Sequence, residues 1–231
     1  MGDAALHLSN WTDRAYIAKQ FYSLALESRA LGKSVTKLEV KGKGVMDHIL
    51  YLYEQLWIKL EGSWEGKYSA EEVVTSRDRL LEEVERELKD LQEHVHNTGE
   101  IADKALDLAQ RVGGEVLKQR GAIASQSAAL VAQHPWWKIH IPSAFNWDKL
   151  TILQQKTLSE DLQLTAASLS VLDTVKRNLA EMSITLEAFH ESVIHARTEN
   201  RKRTYMGLSV EDLLKSLEEN LKRSRKEIEA W

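Results

Sequence analysis

From Leu81 to Leu130 the apolar and small positions step by three and four without interruption for about seven heptads. The series runs Leu81, Val84, Leu88, Leu91, Val95, Thr98, Ala102, Ala105, Ala109, Val112, Val116, Gln119, Ile123, Gln126 and Leu130. An α-helix turns every 3.6 residues, so a stripe with a 3.5-residue period drifts round the helix and supercoils to keep its seam on a partner. The helix that carries it opens with a capping box, Ser69-x-x-Glu72, and is expected over residues 69–133, about 65 residues in all. Gly113, Gly114 and Gly121 each cost it about 1 kcal/mol against alanine, so any bend belongs there.

The same periodicity predicts four further helices. One spans 10–32, with Trp11, Ala15, Ala18, Tyr22 and Ala25 on one seam and Ile17, Phe21, Leu24 and Leu31 beside it, ending near Gly32. A second spans 44–62 behind Gly42 and Gly44. Its apolar residues Val45, Met46, Ile49, Leu50, Leu52, Tyr53, Leu56, Trp57 and Leu60 wrap most of the circumference, the mark of a helix surrounded by others. A third spans 147–201 with a seam through Leu158, Leu162, Thr165, Leu169, Leu172, Val175, Leu179, Met182, Leu186, Phe189, Val193 and Ala196. Its spacing of three, three, four at Leu169, Leu172 and Val175 reads as a local overwinding. A last helix over 209–229 follows Gly207 and the capping box Ser209-x-x-Asp212.

Folding the 147–201 helix back on the 69–133 helix about a turn at residues 134–147 sets Val95 against Leu186, Ala102 against Leu179, Ala109 against Leu172, Val116 against Thr165 and Ile123 against Leu158. Small residues then face large ones, as close packing asks. The expected fold is all-α: one elongated antiparallel helical bundle or coiled coil over 1–231, with two long hairpin helices and shorter helices at both ends.

Composition narrows the functional classes. With 31 basic and 35 acidic residues the formal charge of the 231-residue chain is −4, which disfavours nucleic acid as a partner. There is no cysteine, which removes disulfides, thiolate metal sites and cysteine nucleophiles together. No basic stretch leading into an apolar core opens the chain, and no run nears the eighteen or so apolar residues of a spanning helix. A cytoplasmic protein is expected.

Catalytic patterns are missing as well: no glycine-rich phosphate loop, no Gly-x-Ser-x-Gly elbow, no strands to hold one. Two Glu-x-x-His pairs, Glu93 with His96 and Glu187 with His190, have the spacing of carboxylate-bridged di-iron bundles. They flank the seams, however, whereas ligands must project inward. We expect no catalytic residue, no cofactor and no metal.

Two surface features remain. Trp136, Trp137, Ile139, Ile141, Phe145 and Trp147 crowd large apolar groups into the hairpin turn, where polar residues are usual. They either cap the bundle end or anchor a partner protein or a membrane, since tryptophan suits both buried interface pockets and headgroup depth. A basic cluster, Arg197, Arg201, Lys202 and Arg203 followed by Lys222 and Arg223, complements helix C-termini and offers contact with an anionic surface. The chain therefore reads as a non-enzymatic coiled-coil module for protein interaction, scaffolding or self-association into an oligomer. The alternative is a membrane-active bundle, pore-forming or surface-binding, that docks or inserts through residues 135–147.

Overall fold

The computed structural model describes residues 14–133 and 144–205, together with Asp212, Lys215 and Glu219. Among them the protein is all-helical, with three long helices: α1, Arg14–Trp64; α2, Ala70–Gln133; and α3, Ala144–Tyr205. The chain forms two compact units. The first comprises Met1–Ser34 and Gly99–Leu179, and the second Val35–Thr98 and Ala180–Trp231.

α2 follows its pattern closely. Every stripe position from Leu81 to Gln119 is buried, and Val73, Arg77 and Leu80 carry the burial one turn and more toward the N-terminus. The capping box is in place: Ser69 N–H donates to Glu72 Oε2 at 2.7 Å and Glu72 N–H donates to Ser69 Oγ at 3.2 Å. These two bonds satisfy donors that the first helical turn leaves open. Gly113 sits where a Cβ would come within 3.3 Å of Thr165 Cγ2, so its cost in helix propensity accompanies a close approach of α3 in the first unit.

α1 corrects the reading of two helices over 10–32 and 44–62: it is one helix of 51 residues. Leu31, Leu38 and Val45, seven residues apart, are all buried and carry the stripe straight through the glycines. A Cβ on Gly32, Gly42 or Gly44 would meet nothing within 4 Å, so these glycines cost propensity but remove no packing. Burial of the leucine line outweighs that cost. The seam assigned to Ala15, Ala18, Tyr22 and Ala25 also changes, because only Ala18 of these is buried while Ile17, Phe21 and Leu24 are the true inward line. Nor is residues 44–62 a surrounded helix. Val45, Ile49, Leu56 and Leu60 are buried, whereas Tyr51 and Ile58 stand more than half exposed.

The stop of α1 lies at Gly66 rather than Gly62. Lys67 N–H donates to the Gly62 carbonyl at 2.7 Å and Gly66 N–H to the Ser63 carbonyl at 3.1 Å, the paired bonds of a Schellman motif. Gly66 takes φ 76°, the left-handed conformation that the motif requires and glycine adopts without penalty. Gly62 is needed for a different reason: a Cβ there would lie 2.6 Å from the ring of Tyr68.

α3 extends past both expected ends, 147 and 201. Thr165, Leu172, Leu179, Leu186 and Val193 are buried at seven-residue intervals, with Val175, Met182, Phe189 and Ala196 half-buried between them. Asp161 is buried where Leu162 was expected, and Leu162 and Leu169 are only half-buried. With Asp161 and Ser168 in the inward line the spacing stays at three and four throughout, so no overwound step is required. The expected 209–229 helix lies outside the described residues apart from Asp212, Lys215 and Glu219, which are helical and exposed.

Candidate functional site

In the second unit charged side chains of two helices meet at a groove. Lys41, Gly44, Val45 and His48 of α1 line one wall of a shallow groove of about 470 Å³, and Arg86, Glu87 and Asp90 of α2 line the other. Positions 41, 45 and 48 share a helix face, as do 86 and 90, so the two rows meet by ordinary helical spacing. His48 Nδ1 lies 2.6 Å from Glu87 Oε1, and the imidazole stacks on Tyr51 with ring centroids 6.5 Å apart. Lys41 Nζ stands 3.6 Å from Asp90 Oδ2, and Arg86 turns to Glu83 at 3.1 Å. Each cation in the groove has an anion beside it. The arrangement braces α1 on α2 in this unit and offers water a mixed-charge rim.

Arg197, from the expected basic cluster, lies in α3. Glu82 and Glu85, three residues apart on α2, present two carboxylates to one guanidinium. Arg197 Nη2 donates to Glu82 Oε1 at 2.5 Å and Nη1 to Glu85 Oε2 at 2.6 Å, charge-assisted bonds that engage both arms of the fork. Its charge is thus met within the second unit. Arg201, Lys202 and Arg203 continue α3, while Lys222 and Arg223 lie outside the described residues. Of the aromatic run, Trp136, Trp137, Ile139 and Ile141 also lie outside them. Phe145 and Trp147 correct the extent of the expected turn, because α3 already begins at Ala144 and carries both.

No family model, curated protein or solved structure matches this chain.

Buried polar groups are the remaining places where chemistry can reside. Thr98 and Thr165 return their hydroxyls to the carbonyls four residues back, His94 and Asp161, each at 2.7 Å, so both sit in the core satisfied. Arg77, 3% exposed, is held by Asp78 Oδ1 through Nε at 2.9 Å and Nη2 at 2.7 Å. Asp161 Oδ2 and His190 Nε2 are buried with no hydrogen-bond partner. Burial raises the Asp161 carboxyl above its ordinary range, since a low-dielectric surrounding disfavours the charged form. Its neighbours in the inward line, Thr165 and Ser168, donate their hydroxyls to the Asp161 and Leu164 carbonyls rather than to this carboxyl.

The two Glu-x-x-His pairs fall in the second unit. Glu93, His96 and Glu187 are exposed and His190 is half-buried. Among the described residues no three acidic or histidine side chains are grouped to hold a metal ion. The groove was not foreseen from sequence, although Lys41-x-x-x-Val45-x-x-His48 and Glu87-x-x-Asp90 were available signals. They were obscured by the break placed between Gly32 and Gly44, which removed Lys41 from any helix.

Proposed function

We propose that the chain is a non-enzymatic coiled-coil module for protein interaction, built from antiparallel helical pairings and capable of self-association. Support for the antiparallel pairing comes from each unit separately. In the first, Asp103 meets Lys176 at 2.6 Å while Gly113 lies against Thr165, so numbering rises on α2 as it falls on α3. In the second, Lys41 meets Asp90, His48 meets Glu87 and Lys59 meets Ser76, the same opposed order for α1 and α2.

The observation that carries the functional reading is a set of apolar side chains left outward in line. Val40, Tyr51 and Ile58 are 68%, 55% and 53% exposed and lie eleven and seven residues apart on α1. Leu164 and Val171, 50% and 62% exposed, are seven apart on α3. Single exposed apolar residues are ordinary on soluble proteins. A line repeating every seven or eleven residues, about two or three helical turns, is the pattern of a seam that takes a further helix.

Sedimentation velocity over rising concentration tests this. Self-association should appear, and Tyr51→Glu with Ile58→Glu should weaken it about tenfold or more, since a few large apolar residues carry most interface energy. A chain that stays monomeric at all concentrations, yet pellets with anionic liposomes and loses that with Trp136→Ser and Trp137→Ser, would move the reading to the membrane. The pairing has its own test. Ala102→Leu should cost about 1 to 3 kcal/mol by overpacking and Leu179→Ala about 2 to 5 kcal/mol, with partial mutual rescue in the double variant. Strict additivity would mean that these residues do not face each other.

A further inference from the structure

Charge gives the outward face of α1 in the second unit a direction. Counting about 100° per residue, Val40 and Ile58 lie about 180° round the helix from buried Ile49, and Tyr51 about 160°. Exposed Lys37, Lys43, Asp47, Glu54 and Glu61 lie within about 60° of that outward direction. Both lysines precede Asp47, and the other two carboxylates follow it. The face is therefore basic toward the start of α1 and acidic toward its end. Glu39, also exposed, stands about 100° away from it.

The flank that faces α2 is satisfied within the unit: Lys41 pairs with Asp90, His48 with Glu87, and Lys59 donates to Ser76. Outward, the picture differs. Among the described residues, Lys43, Asp47 and Glu54 make no hydrogen bond or ion pair. Gly44, exposed beside them with nothing within 4 Å of where a Cβ would stand, leaves the face open between Val40 and Tyr51. A second helix can approach closely there.

We propose that a second copy of this chain docks antiparallel on this face, α1 against α1, about a twofold axis beside residue 49 with Val40 opposite the copy's Ile58. The pairing deepens the self-association proposed above and rests on it. Twofold symmetry makes every contact occur twice. In this register Lys43 meets the copy's Glu54 on a shared flank, and Tyr51 meets the copy's Asp47, giving that carboxylate a phenolic donor. The contact runs about 27 Å along each helix from Val40 to Ile58. A parallel copy would instead set lysines against lysines and carboxylates against carboxylates, which disfavours it.

The chain has no native cysteine, so single substitutions report proximity cleanly. Gly44 and Gln55 share a flank and stand opposite one another across the proposed contact, whereas Gly44 and the copy's Gly44 are about 15 Å apart along the helices. Full-length Gly44→Cys mixed with full-length Gln55→Cys should form the mixed disulfide about fivefold or more faster than either like pair, since a disulfide needs closely placed backbones. Equal rates, or faster like pairs, would overturn the proposal. Charge gives a second measurement that leaves the apolar residues untouched. At low salt, Lys43→Glu and Glu54→Lys should each weaken self-association in sedimentation about fivefold or more, because each turns two symmetry-related attractions into repulsions. Both substitutions in one chain should restore the wild-type constant to within about twofold. A double variant that associates no more tightly than the single ones would refute the register. A chain monomeric throughout would remove the self-association reading and this pairing together, while association that persists with the wrong cross-links or without rescue would remove this pairing alone.

Discussion

The two units differ in what α2 supplies to their cores. In the second, α2 buries Val73, Leu80, Leu81, Val84, Leu88, Leu91 and Val95. In the first it buries Ala102, Ala105, Ala109, Val112, Val116 and Gln119, while α3 adds Asp161, Thr165, Leu172 and Leu179. The same heptad periodicity runs through both stretches, yet the leucines remove far more apolar surface from water than the alanines at about 25 cal/mol per Å². Bracing differs in the same sense. Among the described residues, the second unit has Lys41–Asp90, His48–Glu87 and the two bonds of Arg197 linking helices, whereas the first has Lys176–Asp103 with both side chains about half exposed. Periodicity therefore specifies which residues face inward, and side-chain volume and charge decide how firmly they hold.

The comparison breaks most sharply at Leu88, which is fully buried in the second unit. Leu88→Ala should cost about 2 to 5 kcal/mol in denaturant unfolding, through lost transfer energy and the cavity left behind. Backbone amides of residues 80–95 should also exchange more slowly than those of 102–119, and the reverse order would invert the ranking of the units.

Next in size is the orphan carboxyl of the first unit. Asp161→Leu should raise stability by about 1 to 3 kcal/mol at neutral pH, since a buried unpaired polar group costs about that much. The sign with pH follows from its raised folded pKa. The penalty is complete above that value, fades as pH falls, and is absent below the ordinary value of 3.8, so the gain from the variant should vanish in acid. A gain independent of pH would mean that charge is not the cause.

Gly66→Ala should cost about 1 to 2 kcal/mol, the penalty of placing a Cβ in a left-handed conformation, and thermal unfolding reads it directly. Ser69→Ala, at the start of α2, should cost about 1 kcal/mol. Its partner adds a pH signature of opposite sign to that of Asp161. The backbone N–H and hydroxyl of Ser69 hold Glu72 below its ordinary 4.5, so the cap contributes above that pH and is lost as pH falls through the folded value. Glu72→Gln should flatten that acid limb.

Much of this fold was legible where local and long-range signals agreed. The α2 stripe and the Ser69 capping box agree with propensity, so local and long-range preferences pointed the same way. α1 misled because its glycines are a local signal and its leucines a tertiary one, and packing of Leu31, Leu38 and Val45 prevailed. Arg77 and Asp161 were missed for the reason that a charged residue at an inward position looks like a break in the stripe, whereas the helix tolerates it. Of the candidate surfaces, Arg197 was visible as a charge but not as a strut, since Glu82 and Glu85 lie 115 and 112 residues away in sequence.

The turn at Gly66 carries a kinetic consequence. It joins α1 to α2 through five residues, and Lys59 meets Ser76 at a separation of only 17. Closing so short a loop takes on the order of 10 to 100 ns, whereas bringing Arg197 to Glu82 must first overcome the chain entropy of a loop more than 100 residues long. The hairpin of α1 and α2 in the second unit should thus nucleate folding, with α3 added to a template already formed. During synthesis that template emerges complete well before α3 has been made, so the leucine stripe of α2 spends its exposed interval already half covered by α1.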